Sequence, residues 1–152
     1  MIQIYVDADA CSVKQEVLKV ARRHGIQVTF AANSFMRIPD QGDARLQVVE
    51  GRDINAVDDW IESQVAANDI VITADIPLAD RCLKKGAQVL DQKGGIFTAS
   101  NIGNMLAARE LMSQLRDAGG QMGGPPPFSP KDRSRFLHTL DQAIQSIKRT
   151  LL

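Results

Sequence analysis

Cysteine is nearly missing from this sequence: 152 residues hold two, Cys11 and Cys82. Two cannot build the disulfide framework of a small secreted domain, so a reducing, cytoplasmic setting is the expectation. Aromatic side chains make up 5% of the chain, with one Trp and one Tyr; base stacking is therefore not expected to dominate any contact with nucleic acid. The two histidines, His24 and His138, are isolated and show no metal-ligand spacing. No apolar run approaches the ~18 residues of a membrane span. The opening residues Met-Ile-Gln-Ile-Tyr-Val, followed by Asp7 and Asp9, lack the basic start and long apolar stretch of a secretory signal. No Gly-Lys-Ser/Thr follows a glycine-rich run, which excludes a P-loop. Net charge is lacking too, with 18 basic and 18 acidic residues.

That zero conceals an asymmetry. Between Asp40 and Asp80 lie ten of the acids but only two of the bases, a local charge of −8 that leaves +8 on the remainder. An acidic pocket beside a basic rim, suited to a metal ion and a phosphate ligand, has this signature; so do solvated helix faces.

What is present is ordinary for a globular domain: 44% hydrophobic and 24% charged residues, on a length that suits one domain. Ile2, Ile4 and Val6 alternate as a first strand ending at Asp7. Ser12 is placed to cap a helix carrying Val13, Val17, Val20 and Ala21, with Gly25 as its stop. Ile26, Val28 and Phe30 form a second strand, and Leu46 to Val49 a third. Asp53 is placed to cap a helix carrying Val57, Ile61 and Val65. Ile70 to Thr73 is a continuous apolar run of the kind that marks a buried parallel strand. Pro77 opens a short helix that Gly86 stops, and Ala87 to Leu90 is a fifth strand, followed by Asp91. Ser100 or Asn101 starts a helix through Ile102, Met105, Leu106, Arg109, Met112 and Leu115. Four glycines and four prolines fall between Gly119 and Pro130. Ser129-Pro130-Lys131-Asp132 then begins a last helix, with Phe136, Leu140, Ile144, Ile147 and Leu151 on one face. Trp60 and Phe136 are expected in the core.

Strands alternating with helices at this spacing predict an α/β fold with a parallel sheet of order near 3-2-1-4-5. Residues 1–118 would form the α/β domain. Residues 119–152 would form a Gly/Pro-rich loop and C-terminal helical extension packed on it. Ligands of such sheets gather beyond the carboxyl ends of the strands, where strand order reverses. That edge would receive Asp7 and Asp9 after the first strand and Asp75 after the fourth, with Asp58 facing the same cleft. Asp7 and Asp75 are expected within reach of one cation. Carboxylates so gathered repel one another and are best retained around hard cations such as Mg²⁺ or Mn²⁺. Each is equally a residue type that caps helices and turns. Asp80 is less clearly placed, and Asp59 and Asp91 are expected at the surface. Lys131, Arg133 and Arg135, at a helix start, are candidates for holding a nucleic-acid backbone beside the acids. Cys11 is read as a small buried hydrophobe in preference to an activated thiolate.

Val6-Asp7-Ala8-Asp9-Ala10-Cys11, Asp58 with Ile61, and the run Ile70-Val71-Ile72-Thr73-Ala74-Asp75-Ile76-Pro77-Leu78-Ala79 together resemble the bacterial YaiI/YqxD family. So does the tail Gly124-Pro125-Pro126-Pro127-Phe128-Ser129-Pro130-Lys131-Asp132-Arg133. The resemblance spans essentially the whole chain and implies a PIN-like three-layer fold. PIN domains at large are metal-dependent ribonucleases. The resemblance therefore implies Mg²⁺- or Mn²⁺-dependent phosphodiester hydrolysis on RNA, with Asp7 and Asp75 as principal catalytic and metal-binding residues and Asp9 and Asp58 completing the shell. Asp7 matches the PIN aspartate after the first strand, Asp58 the acid opening the helix before the fourth, and Asp75 the acid of the Thr-x-Asp motif. The further glutamate common in PIN nucleases has no clear counterpart, Glu16 being a loose candidate. Two other function classes stand beside this one: a non-catalytic nucleic-acid or partner-binding module, and, from Asp7-x-Asp9 alone, a haloacid-dehalogenase-like phosphatase. A homo-oligomer is compatible with the sequence.

Overall fold

A computed structural model of the chain describes residues 1–51, 53–119 and 127–152. Its centre is a six-stranded sheet of β1 (Gln3–Asp7), β2 (Gln27–Ala32), β3 (Ala44–Val48), β4 (Ile70–Ile72), β5 (Gln88–Leu90) and β6 (Ile96–Phe97). Their order is β3-β2-β1-β4-β5-β6. The first five strands in chain order pair in parallel, and β6 closes on β5 antiparallel. The expected parallel order is thus observed. β6 is an addition: two residues carry no readable period, and the strand exists because the turn after β5 folds back. Asp91 holds that turn, its carboxylate accepting the backbone N–H groups of Lys93 and Gly95, each at 2.8 Å.

Side chains alternate across the strands and divide the interior into two layers. On one face Ile4, Val6, Val28, Phe30, Ile70 and Ile72 meet α1 (Lys14–His24) and α5 (Pro130–Leu151). On the other, Val71 and Val89 meet α2 (Ala56–Gln64), α3 (Ile76–Lys84) and the start of α4 (Ile102–Asp117). The three layers expected of a PIN-like fold follow from this alternation. Phe136, Leu140, Ile144 and Ile147 are at most 2% exposed and join the α1 layer, so the last helix is part of the central core. Burying such a side chain contributes ~1.5–3 kcal/mol.

Several helix boundaries differ from expectation. Val13, not Ser12, precedes α1, with no side-chain cap; the Ser12 N–H and hydroxyl instead donate to Gln92 Oε1, both at 2.9 Å. Asn55 precedes α2, and Asp53 turns the chain before it by accepting from the Asn55 N–H at 2.9 Å. Ser129 caps α5 as anticipated, in a reciprocal box with Asp132. Trp60 is half-buried, edge-on to Tyr5 at 6.1 Å between ring centres, and Leu151 is exposed beyond the last turn that α1 covers. The glycines and prolines at 120–126 lie outside the described residues. Among the described residues, no helix is long and apolar enough to cross a membrane.

The N-terminal turn of α5 lies directly against the β5–β6 turn. Gly94 has φ +84°, and a Cβ there would stand 2.8 Å from the backbone carbon of Arg135. Gly94→Ala is therefore expected to cost about 2–3 kcal/mol, from left-handed strain plus the clash. Gly103, inside α4, has open space where a Cβ would stand, so Gly103→Ala is expected to gain about 0.5–1 kcal/mol. Thermal melts of the two variants should move in opposite directions.

Candidate active site

Strand order reverses between β1 and β4, and the residues leaving these two strands meet there. Asp7 is the last residue of β1. Thr73 follows β4, its N–H donating to the Leu90 carbonyl at 3.0 Å. The Thr73 hydroxyl donates to Asp7 Oδ2 at 3.0 Å and accepts the N–H of Asp75, also at 3.0 Å. One buried hydroxyl therefore ties the two strand ends together. Asp75 is the N-cap of α3: its Oδ1 accepts the Leu78 N–H at 2.9 Å, and Pro77 stands in the first turn. Asp75 thus combines a helix cap with a place in the acid group. Its second carboxylate oxygen has no hydrogen bond from a described residue.

Asp7, Asp9, Asp58 and Asp75 line one cleft of about 300 Å³, together with Asp53 and Asn33. A second chamber of about 300 Å³ shares Asp7 and Asp75 and continues over Thr73 to Cys11 and Gln92. Sequence reasoning brought the four acids to this edge. It did not single out Asn33 or Gln92, and it read Asp53 only as a helix cap. Asn33 comes from an irregular stretch with no periodic signal. Asp9 is exposed and accepts the Asn33 N–H at 3.2 Å.

The electrostatics are those of crowded carboxylates. Burial pushes the Asp7 carboxyl upward, the Thr73 hydroxyl opposes this, and Asp75 and Asp9 push it up further. The Asp58 carboxyl is pushed up to about 6, first by burial, then by Asp75 and Asp7, with Arg81 opposing. Arg81 is itself held by Asp59 at 2.7 Å and by Glu62, which places Asp59 at the surface as expected. Asp80 pairs with Lys84 at 3.0 Å, away from the cleft. Cys11 is half-buried, and burial pushes its thiol up.

Among the described residues, no three His, Cys, Asp or Glu side chains stand close enough to share one ion. Mg²⁺ keeps several waters and commonly takes only one or two carboxylates. Asp7 and Asp75 carry oxygen donors of the hard kind, and Thr73 links the Asp7 carboxylate to the Asp75 backbone.

The sequence pattern of the family described as "Uncharacterized BCR, YaiI/YqxD family" matches residues 5–146. The chain belongs to the YaiI/YqxD family. It is similar to the UPF0178 protein of Nitrobacter winogradskyi, 50% identical over 148 residues that cover 97% of this chain and 94% of that one. The UPF0178 proteins of Brucella suis and Agrobacterium fabrum are 53% and 52% identical, each over 97% of this chain and over 92% and 95% of their own lengths. No solved structure matches the chain significantly.

In this YaiI/YqxD chain the basic tail reaches the same end of the sheet. Gly94 against Arg135 brings the start of α5 beside the β5–β6 turn, and Ser12 with Gln92 brings the start of α1 there too. Lys131 and Arg135 are exposed. Arg133 Nε lies 3.6 Å from the buried Glu16 carboxylate. Glu16 therefore faces a cation in a neighbouring pocket and not the acid cleft. His24 ends α1, as expected, and its Nε2 meets Asp141 Oδ1 at 2.6 Å.

A pH test follows from Asp58. Its folded carboxyl titrates near 6, above the ~3.9 of an unfolded Asp. The stability it contributes is complete below about pH 4 and is lost as pH rises through about 6. In chelator, Asp58→Asn should stabilise the protein at pH 7–8 by about 1 kcal/mol, after allowance for solvent screening of a half-exposed group. That is a rise of ~2–4 °C in Tm, and it should vanish near pH 4. Melts of parent and variant across pH 4–8 measure it; an equal difference at all pH values would detach Asp58 from the acid group.

Proposed function

We propose that this protein is a Mg²⁺- or Mn²⁺-dependent phosphodiester hydrolase acting on RNA. The observation that carries the reading is the meeting of Asp7, Asp9, Asp58 and Asp75 on one cleft at the strand-order reversal, where burial and the neighbouring carboxylates push the Asp7 and Asp58 carboxyls upward. A bound divalent ion would supply charge neutralisation at the phosphate and activation of a water. Asp7 and Asp75 would hold it directly; Asp9 and Asp58 would act through water. Thr73 keeps one oxygen of Asp7 oriented and fixes the backbone of Asp75. Asp58 keeps a proton into the near-neutral range and is placed to exchange it with solvent in the cleft. Lys131 and Arg135 supply positive charge on the same end of the molecule, where a polyanion would approach; Arg133 serves chiefly to neutralise Glu16.

A second reading is a nucleic-acid-binding module without turnover. It is favoured by the prior engagement of two acids, Asp75 by Leu78 and Asp9 by Asn33. The two readings separate on Asp75→Asn, because Asn is a nearly equal N-cap while Ala loses the cap at about 1 kcal/mol. The hydrolase reading expects Mn²⁺-dependent cleavage of a labelled single-stranded RNA, reduced at least ~100-fold in Asp7→Asn and Asp75→Asn. It also expects Mn²⁺ at 100 times its Kd to stabilise the parent by ~2.7 kcal/mol and neither variant. RNA binding without cleavage, or an equal Mn²⁺ response in parent and Asp75→Asn, would establish the second reading in its place.

A further inference from the structure

The face of the sheet that carries Asp7 continues into a polar shelf. Alternation sends Gln3, Tyr5 and Asp7 of β1 to the α2 side, while Ile4 and Val6 enter the opposite layer. The parallel register sets Gln27 beside Gln3, Thr29 beside Tyr5 and Ala31 beside Asp7. On the next strand it sets Arg45 beside Thr29 and Gln47 beside Ala31. The rows Asp7–Ala31–Gln47 and Tyr5–Thr29–Arg45 are therefore adjacent, ~6.6 Å apart along the strands, with ~4.8 Å between neighbouring strands. Trp60 and Gln64 of α2 wall the shelf, which encloses about 510 Å³.

Its chemistry is unusual for a solvated sheet face. Arg45 is the one charged residue in the lining, and it has no partner among the described residues. Four glutamine amides make up half of the rest. Gln27 reaches Asp43 on the rim only at 3.3–3.4 Å, and Gln47 reaches the Val48 carbonyl and Gln64 the Ser63 hydroxyl only at 3.4 Å. These are long contacts, so the amides keep donors and acceptors to offer. Trp60 and Tyr5 add aromatic surface at one wall. Neutral donors and acceptors beside an aromatic wall, with a single cation, complement a nucleobase and one phosphate.

We propose that this shelf holds one nucleotide of a single-stranded nucleic acid, on the far side of the buried Ala31 from the acid cleft. The base lies against Trp60, its edge meets the glutamine amides, and its phosphate meets Arg45. The proposal rests on the nucleic-acid reading above and assigns a nucleotide held apart from the acids. One nucleotide is as much stacking as two aromatic residues at one wall provide.

Trp60 is the sole tryptophan, so its fluorescence reports on this shelf alone. The test titrates hexa-adenylate and AMP into the full chain in EDTA. Saturable quenching by the hexamer is expected, with AMP at least tenfold weaker. Arg45→Gln should weaken the hexamer severalfold and lower the slope of log affinity against log salt by about 0.7. Gln47→Ala should weaken it about fivefold. Both side chains are exposed, so melting temperatures should stay within about 1–2 °C of the parent. No quenching at millimolar hexamer, quenching indifferent to both substitutions, or AMP binding as tightly as the hexamer would overturn the proposal. Cleavage in Mn²⁺ with a silent Trp60 removes the shelf and leaves the hydrolase. A quenched Trp60 without cleavage in Mn²⁺ leaves the shelf and removes the hydrolase.

Discussion

A threonine hydroxyl links the ends of the two central strands at the point where the sheet of this protein changes direction. Thr73 donates to the carboxylate that ends β1 and accepts from the backbone that opens α3. Strands on one side of that point were laid down as β1, β2 and β3, and those on the other as β4 and β5. The connecting loops must therefore diverge there, and a cleft results. Everything attributed to the site depends on that divergence: the gathered acids, the capped α3 and the chamber toward Cys11.

The acids at this cleft show how one residue can satisfy folding and chemistry together. Asp75 gives one oxygen to the first turn of α3, where the aligned peptide dipoles favour negative charge. That attraction offsets part of the repulsion from Asp7 and Asp58, so the fold tolerates a carboxylate there. Asp58 has less compensation, since the nearby Arg81 is shared with Asp59 and Glu62, and its proton is correspondingly harder to remove.

Much of this was legible in the sequence because it rests on local pattern. Alternation at Ile2, Ile4 and Val6, the apolar run from Ile70, and the stops at Gly25 and Gly86 determine most strands and helices, and strand order then brings Asp7 and Asp75 together. What escaped had no local signature. β6 is two residues long and is made by a turn around Asp91. Ser12 has the chemistry of a cap but is drawn away by Gln92, 80 residues later. Trp60 has the hydrophobicity of a core residue and packs against the apolar cluster under α2, yet β2 and β3 present Thr29 and Arg45 beside it, so one side stays open. The polar shelf depends on three strands in register, which no single segment encodes.

The two rims of the sheet differ in what they offer to another strand. β6 ends one side with two residues running against the rest, too short to template further pairing. β3 ends the other with five residues, an open ladder, and Arg45 and Gln47 exposed. A charged, amide-bearing side chain on a short strand discourages edge-to-edge growth. That polar rim borders the shelf, so the same two side chains both guard the edge and line the adjoining face.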